Sequence, residues 1–279
     1  MTGTTLPPGD AAHRVTAARV LRSEWIKLRT LRSTVWCAVL VVVLSVGIGL
    51  LLAATLNASP NPPVAEQQSL ALTVVTLGTR FTQLIAAVLG VLVISGEFGT
   101  GQIRSTFAAV PRRVLAVVAK ALVLGAAVFL LGLLAALLTA LATTAILSSR
   151  GVAPHLLDGP VLLPLLGSAL SLALVAMLAL GIGGIVRNGG AGIGIVLGLL
   201  LVVPTVLAIF GALTRAAWVT NLETLLPSSA AVQLYAFAST TAAAPGTIVL
   251  NGWTAALVLV AWVVAALGVA LALIRVRDA

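Results

Sequence analysis

The chain has 279 residues, 60% of them hydrophobic and 8% charged, with a formal net charge of +9. Soluble domains carry roughly 25% charged residues, so this composition excludes one and predicts an all-α polytopic membrane protein. It leaves no length for a separate soluble catalytic domain, and it assigns the positive charge to orienting helices in a membrane rather than to nucleic acid.

Residues 1–33 are polar and basic, too long and too charged for a cleaved leader, so the first apolar run is expected to remain as a membrane helix. That segment is one unit, and 34–279 is a single six-helix transmembrane domain. A bilayer core needs about 20 apolar residues per helix. The expected spans are Thr34–Leu56, Ala71–Ser95, Val114–Leu147, Val161–Val186, Ala191–Thr214 and Gly252–Ile274. The third is over-long, which predicts tilt or extension into water. Between the fifth and sixth spans, a moderately apolar stretch broken by Pro227 and Pro245 reads as re-entrant or surface-lying helix.

Positive charges fall mainly in alternate gaps. Arg14, Arg19, Arg22, Lys27, Arg29 and Arg32 precede the first span, and Arg104, Arg112, Arg113 and Lys120 follow the second. Arg187 follows the fourth, and Arg275 and Arg277 close the chain, leaving Arg80, Arg150 and Arg215 outside the pattern. The positive-inside bias therefore puts both termini in the cytoplasm.

Arg19 to Trp36 is amphipathic: Leu21, Trp25, Leu28 and Leu31 recur at helical spacing among basic residues. Such a helix lies in the headgroup layer. It is either a juxtamembrane anchor or an elbow that carries force into the first span. In the second span, Thr73, Thr76, Arg80 and Gln83 follow the spacing of one helical face. An arginine inside a span costs about 2.5–3.5 kcal/mol on insertion scales. Arg80 is thus either a snorkelling residue, with Glu66, Asp158 or Glu223 as partner, or part of a polar stripe lining a translocation path.

The segment after the second span, Gly96 to Arg113, turns at Gly99 and Gly101 and offers a short helix, Gln102–Ala109, before Pro111. Ile103 and Phe107, rimmed by Arg104, Arg112 and Arg113, suit a docking element better than a plain connector. Its glycines do not make a phosphate loop, because no Gly-Lys-Ser/Thr follows. Arg187-Asn188-Gly189-Gly190 reads as a tight turn, and Gly190, Gly194 and Gly198 share a face that permits close helix packing. One cysteine, Cys37, and two distant histidines, His13 and His155, provide neither a disulfide framework nor a metal-ligand set.

Three stretches taken in order resemble the permease subunits of type-2 ATP-binding-cassette exporters of Gram-positive and actinobacterial chromosomes. They are Ser23-Glu24-Trp25-Ile26-Lys27-Leu28-Arg29-Thr30-Leu31-Arg32-Ser33, then Gly96-Glu97-Phe98-Gly99-Thr100-Gly101-Gln102-Ile103-Arg104-Ser105-Thr106, then Leu226-Pro227-Ser228-Ser229-Ala230. The resemblance implies a non-enzymatic transport subunit in a bacterial plasma membrane, paired with a second copy or paralogue. It would work with separate nucleotide-binding subunits that hold ATP and Mg, while this chain binds no cofactor itself. Arg19 to Arg32, including Glu24, Trp25, Lys27, Leu28, Arg29 and Arg32, would be the elbow. Gly96 to Thr106 and Phe107 would contact the ATPase, with Glu97 pairing with a nearby base to transmit motion. An energy-independent carrier or channel, an intramembrane enzyme and a non-transporting anchor or sensor are the competing classes. The long uncharged spans lack the paired acids or histidines an enzyme would need.

Overall fold

The computed structural model describes residues 16–56, 63–102, 113–152, 158–236 and 246–276. The described residues are helical with no strand, and six helices are long and apolar enough to cross a membrane. The protein is an all-α polytopic membrane protein. In hydrocarbon, a backbone must satisfy its hydrogen bonds within each segment, and uncharged apolar runs of this length do so as helices.

Helix α1 (Ala17–Thr30) starts at Thr16, whose Oγ1 accepts from the Arg19 amide at 3.4 Å, and ends with Lys27 and Arg29 complementing its C-terminal dipole. A single extended residue, Leu31 (φ −74°, ψ 122°), turns the chain into α2 (Arg32–Thr55). Next come α3 (Val64–Thr76) and α4 (Thr79–Gly99), which together form the second span. It therefore begins before Ala71 and runs past Ser95. Leu77 and Gly78 between them keep helical dihedrals, but the ladder changes there: the Arg80 amide bonds back only three residues, to the Leu77 carbonyl. A Cβ on Gly78 would sit 2.8 Å from the Ser45 Cα, so the irregularity lies where α2 crosses closest.

The third span, α5 (Arg113–Ser149), has 37 residues, and α6 (Gly159–Val186) is the fourth. Helix α6 is the hub. It packs most extensively against α4, then α5 and the last helix, and is the most enclosed of the six spans. The fifth span joins α7 (Gly189–Leu197), a π-helical turn at Gly198–Val202 and α8 (Val203–Thr214). Pro204 lacks the amide that would bond to the Leu200 carbonyl and its ring crowds that oxygen, which accounts for the widened turn before it. Only 11% of this span is covered by the rest of the chain.

Two short helices, α9 (Ala217–Thr224) and α10 (Pro227–Gln233), precede the last span, α11 (Gly252–Val276). They fold back onto the bundle: Trp262 Nε1 donates to the Leu225 carbonyl at 3.0 Å, and Asn221 bonds to the backbone of Gly246 and Ile248. Gly167 on α6 makes this possible, because a Cβ there would lie 2.0 Å from the Leu234 carbonyl oxygen.

Arg150, one of the basic residues outside the loop pattern, caps α2 from the far end of α5. Its guanidinium donates to the carbonyls of Leu56 and Ala54, which the helix itself leaves unpaired. Arg150→Ala should destabilise the fold by about 1–3 kcal/mol, measured as a lowered unfolding midpoint in detergent.

Candidate functional site

The described residues contain one cluster of buried charge, where α1, α4 and α5 meet at the end of the bundle that carries α1. Along α1 the buried positions are Val20, Glu24 and Leu28, one line at four-residue spacing. The helix is rotated from the face its apolar residues suggest: Leu21, Trp25 and Leu31 are exposed, while the carboxylate of Glu24 points inward. What turns it is Lys120 on α5, itself 5% exposed, which donates to Glu24 Oε2.

A closed ring results. Lys27 Nζ lies 2.9 Å from Glu24 Oε1 and 3.1 Å from Glu97 Oε1, and Lys120 Nζ lies 2.8 Å from the same Glu97 oxygen. Glu97 comes from the last turns of α4. Two acids and two bases from three helices thus neutralise one another in a site where Glu24, Glu97 and Lys120 are all but hidden from solvent. Breaking one partner of a buried set leaves an uncompensated charge, which is the costly case. Lys27 is the outermost member. Burial would lower its pKa, but the hydrogen bond to Glu24 and the charge of Glu97 outweigh this and raise it above 10.5. A raised folded-state pKa stabilises the fold fully below the unfolded value and ceases to do so as pH climbs through the folded one. The contribution of Lys27 should accordingly be flat across neutral pH and fade only above about pH 10.5, readable as an unfolding midpoint against pH.

Glu97 Oε2 is different. It is buried and accepts no hydrogen bond. Beside the ring lies a cavity of about 320 Å³, lined by all four charged residues together with Leu28, Leu92 and Leu124.

The sequence-derived elbow residues divide accordingly: Glu24 and Leu28 face inward, Lys27 is partly covered, and Trp25, Arg29 and Arg32 are exposed. Of the proposed docking segment, Gly96, Glu97 and Gly99 belong to α4, Gly101 makes a left-handed turn (φ 71°), and Gln102 is the last described residue before the gap. Ile103, Arg104, Ser105, Thr106 and Phe107 lie outside the described residues. Lys120 was the member that sequence reasoning missed. Its signal was a single lysine just inside an otherwise uncharged run, at the end of the bundle where two acids also sit.

The polar stripe splits. Thr76 and Gln83 are buried, on the line that continues through Ala87 and Gly90 into α6, whereas Thr73 and Arg80 are exposed beside it. Thr73 and Thr76 bond back to carbonyls of their own helix. Arg80 forms no ion pair with a described residue, and Asp158 instead accepts from Gln68 at 3.0 Å. Its guanidinium lies near Tyr235. Burial pushes that phenol up to about 12, with Arg80 pulling the other way, and the hydroxyl has no well-formed hydrogen bond.

At the same end as the charge ring, Arg187 holds the turn between α6 and α7 in a left-handed conformation (φ 56°), with Asn188 capping α7. Its guanidinium stands 5.0 Å over the Phe98 ring, so the turn leans on the residue next to Glu97. Gly183 and Gly192 pack tightly against α4, but a Cβ at Gly190, Gly194 or Gly198 would meet no other helix among the described residues within 4 Å.

No known protein family matches the chain, and no curated protein matches it.

Proposed function

We propose that the chain is the membrane-spanning permease subunit of an ATP-driven exporter of the type-2 ATP-binding-cassette class. The observation that carries this reading is the buried ring Glu24–Lys27–Glu97–Lys120. An anchor helix floating in the headgroup layer needs no buried carboxylate. A helix meant to pass a push into the membrane needs a stiff joint, and α1 is bound by paired charges to the end of one span and the start of another. The segment from Gly96 onward leaves from the same joint, so force on either part reaches α4 and α5 together.

In this reading, separate ATPase subunits hold ATP and Mg and dock at the segment beyond Gln102. Both termini face the bacterial cytoplasm, and a second copy or paralogue stands against the uncovered fifth span. The chain itself has no phosphate-binding loop. Arg80, exposed and without an ion pair among the described residues, is the one feature that favours a carrier driven otherwise. Affinity purification from the native membrane tests the class: an ATPase should co-purify, and transport in proteoliposomes should require ATP. A preparation that transports with no ATPase present would overturn the reading. Arg80→Ala should cut transport about tenfold or more if the guanidinium meets cargo, with protein levels unchanged; normal transport would remove Arg80 from the path.

A further inference from the structure

Helix α1 presents distinct sides when its residues are set around a helical wheel. Val20, Glu24 and Leu28 face the bundle, while Ser23 and Thr30 share an exposed polar side. The side turned away from the bundle carries Arg22 and Arg29, both exposed, in one line at seven-residue spacing. On the wheel they stand between Trp25, 40% exposed, and Ile26, 53% exposed. Apolar residues left open on a helix that leads directly into a membrane span belong in lipid. The two guanidiniums between them therefore stand at headgroup level, not in open water.

Beside Arg29 a cleft of about 160 Å³ opens among α1, α2, α4 and α5. Its lining runs from exposed Trp25 and Arg29 past Ala38 and Leu131 to buried Leu89 and Val128. Arg29 is the one charged residue among the described residues that line it. A cation at the lip of an apolar slot matches the two ends of a phospholipid. A guanidinium takes phosphate oxygens through paired N–H donors, and the slot suits an acyl chain.

Charge decides which phospholipid. Glu24 is the sole acid between Thr16 and Trp36, and it points inward, held by Lys27 and Lys120. Arg29 forms no ion pair with a described residue, and Arg32 stands exposed at the first position of α2. A zwitterionic headgroup would bring its own cation to this rim, where no carboxylate of α1 is open to receive it. A headgroup of net negative charge meets attraction alone.

We propose that the cleft holds one anionic phospholipid from the leaflet at the α1 end, its phosphate on Arg29 and an acyl chain among α2, α4 and α5. The proposal does not rest on the exporter reading, because such a lipid would hold α1 against the bundle whatever drives the protein.

Native mass spectrometry of the full chain, offered phosphatidylglycerol, phosphatidylcholine or phosphatidylethanolamine of identical acyl chains, tests it. Retention of the glycerol lipid should exceed that of the other two by about fivefold or more, the worth of one basic residue facing an anionic lipid. Arg29→Gln should abolish this preference at an unchanged unfolding midpoint, since the side chain is exposed. Arg22→Gln, on the same side of α1 but outside the described lining of the cleft, should keep the preference within about twofold of wild type. Equal retention of the three lipids by the wild-type chain would overturn the proposal, and so would an unchanged preference in Arg29→Gln. Equal losses in the two variants would mean diffuse attraction to a basic helix and would overturn the site. Glycerophosphoglycerol, the same headgroup without acyl chains, should bind at least about tenfold more weakly than the lipid; equal binding would identify a free phosphate and overturn the lipid assignment.

Discussion

Lys120→Met should lower stability by about 3–5 kcal/mol, the usual cost of removing one partner from a buried ionic set. Lys120 is the inner cation of the ring and holds Glu24 and Glu97 together. Methionine fills similar volume, so the loss would be of charge and not of packing. The two carboxylates would be left with Lys27, which is partly exposed and already bonded to both. Adding Glu24→Gln to Lys120→Met should recover part of the loss, because the double variant retains one acid for one base. The double-mutant cycle, read from unfolding in detergent, would then give a coupling energy between the sites of about 0.5–3 kcal/mol. An effect of Lys120→Met below about 1 kcal/mol would mean that the cluster behaves like a surface pair and cannot serve as a stiff joint.

The membrane-spanning architecture was legible because it rests on one crude quantity, the length of uncharged apolar sequence, and hydrocarbon leaves such runs few alternatives to helix. Less visible was what depends on helix rotation. The leucines of α1 point to one face as buried, but in a headgroup layer both apolar and charged sides find a favourable environment. The pairing of Glu24 with Lys120 decides instead. The same limit applies to the second span. Spacing assigns Thr73, Thr76, Arg80 and Gln83 to one face, yet Thr76 and Gln83 are buried while Thr73 and Arg80 are exposed, since α6 takes the line through Thr76 and Gln83. The glycines of the fifth span show it again. Their repeat suggests packing, while the tight contacts to α4 are made by Gly183 and Gly192, which lie outside that repeat.

Gly90 carries the second large expected effect. A Cβ at this position would stand 2.2 Å from the Ala176 carbonyl oxygen and 3.0 Å from the Ala179 Cβ, so α4 and α6 approach backbone to backbone at the middle of the hub. Gly90→Ala should cost about 1–3 kcal/mol by overpacking, and Gly90→Leu more, as α6 cannot yield without disturbing α5 and α11. Gly96→Ala, on the same helix but with open space around it, should stabilise by up to about 1 kcal/mol through helix propensity alone and so supplies the control. The consequence extends to the charge ring. Glu97 lies two turns beyond Gly90 on the same line of α4, so wedging the helices apart at Gly90 should displace Glu97 from Lys120. Gly90→Leu combined with Lys120→Met should therefore cost less than the two changes summed. Strict additivity would show that the ring keeps its geometry independently of the contact between α4 and α6.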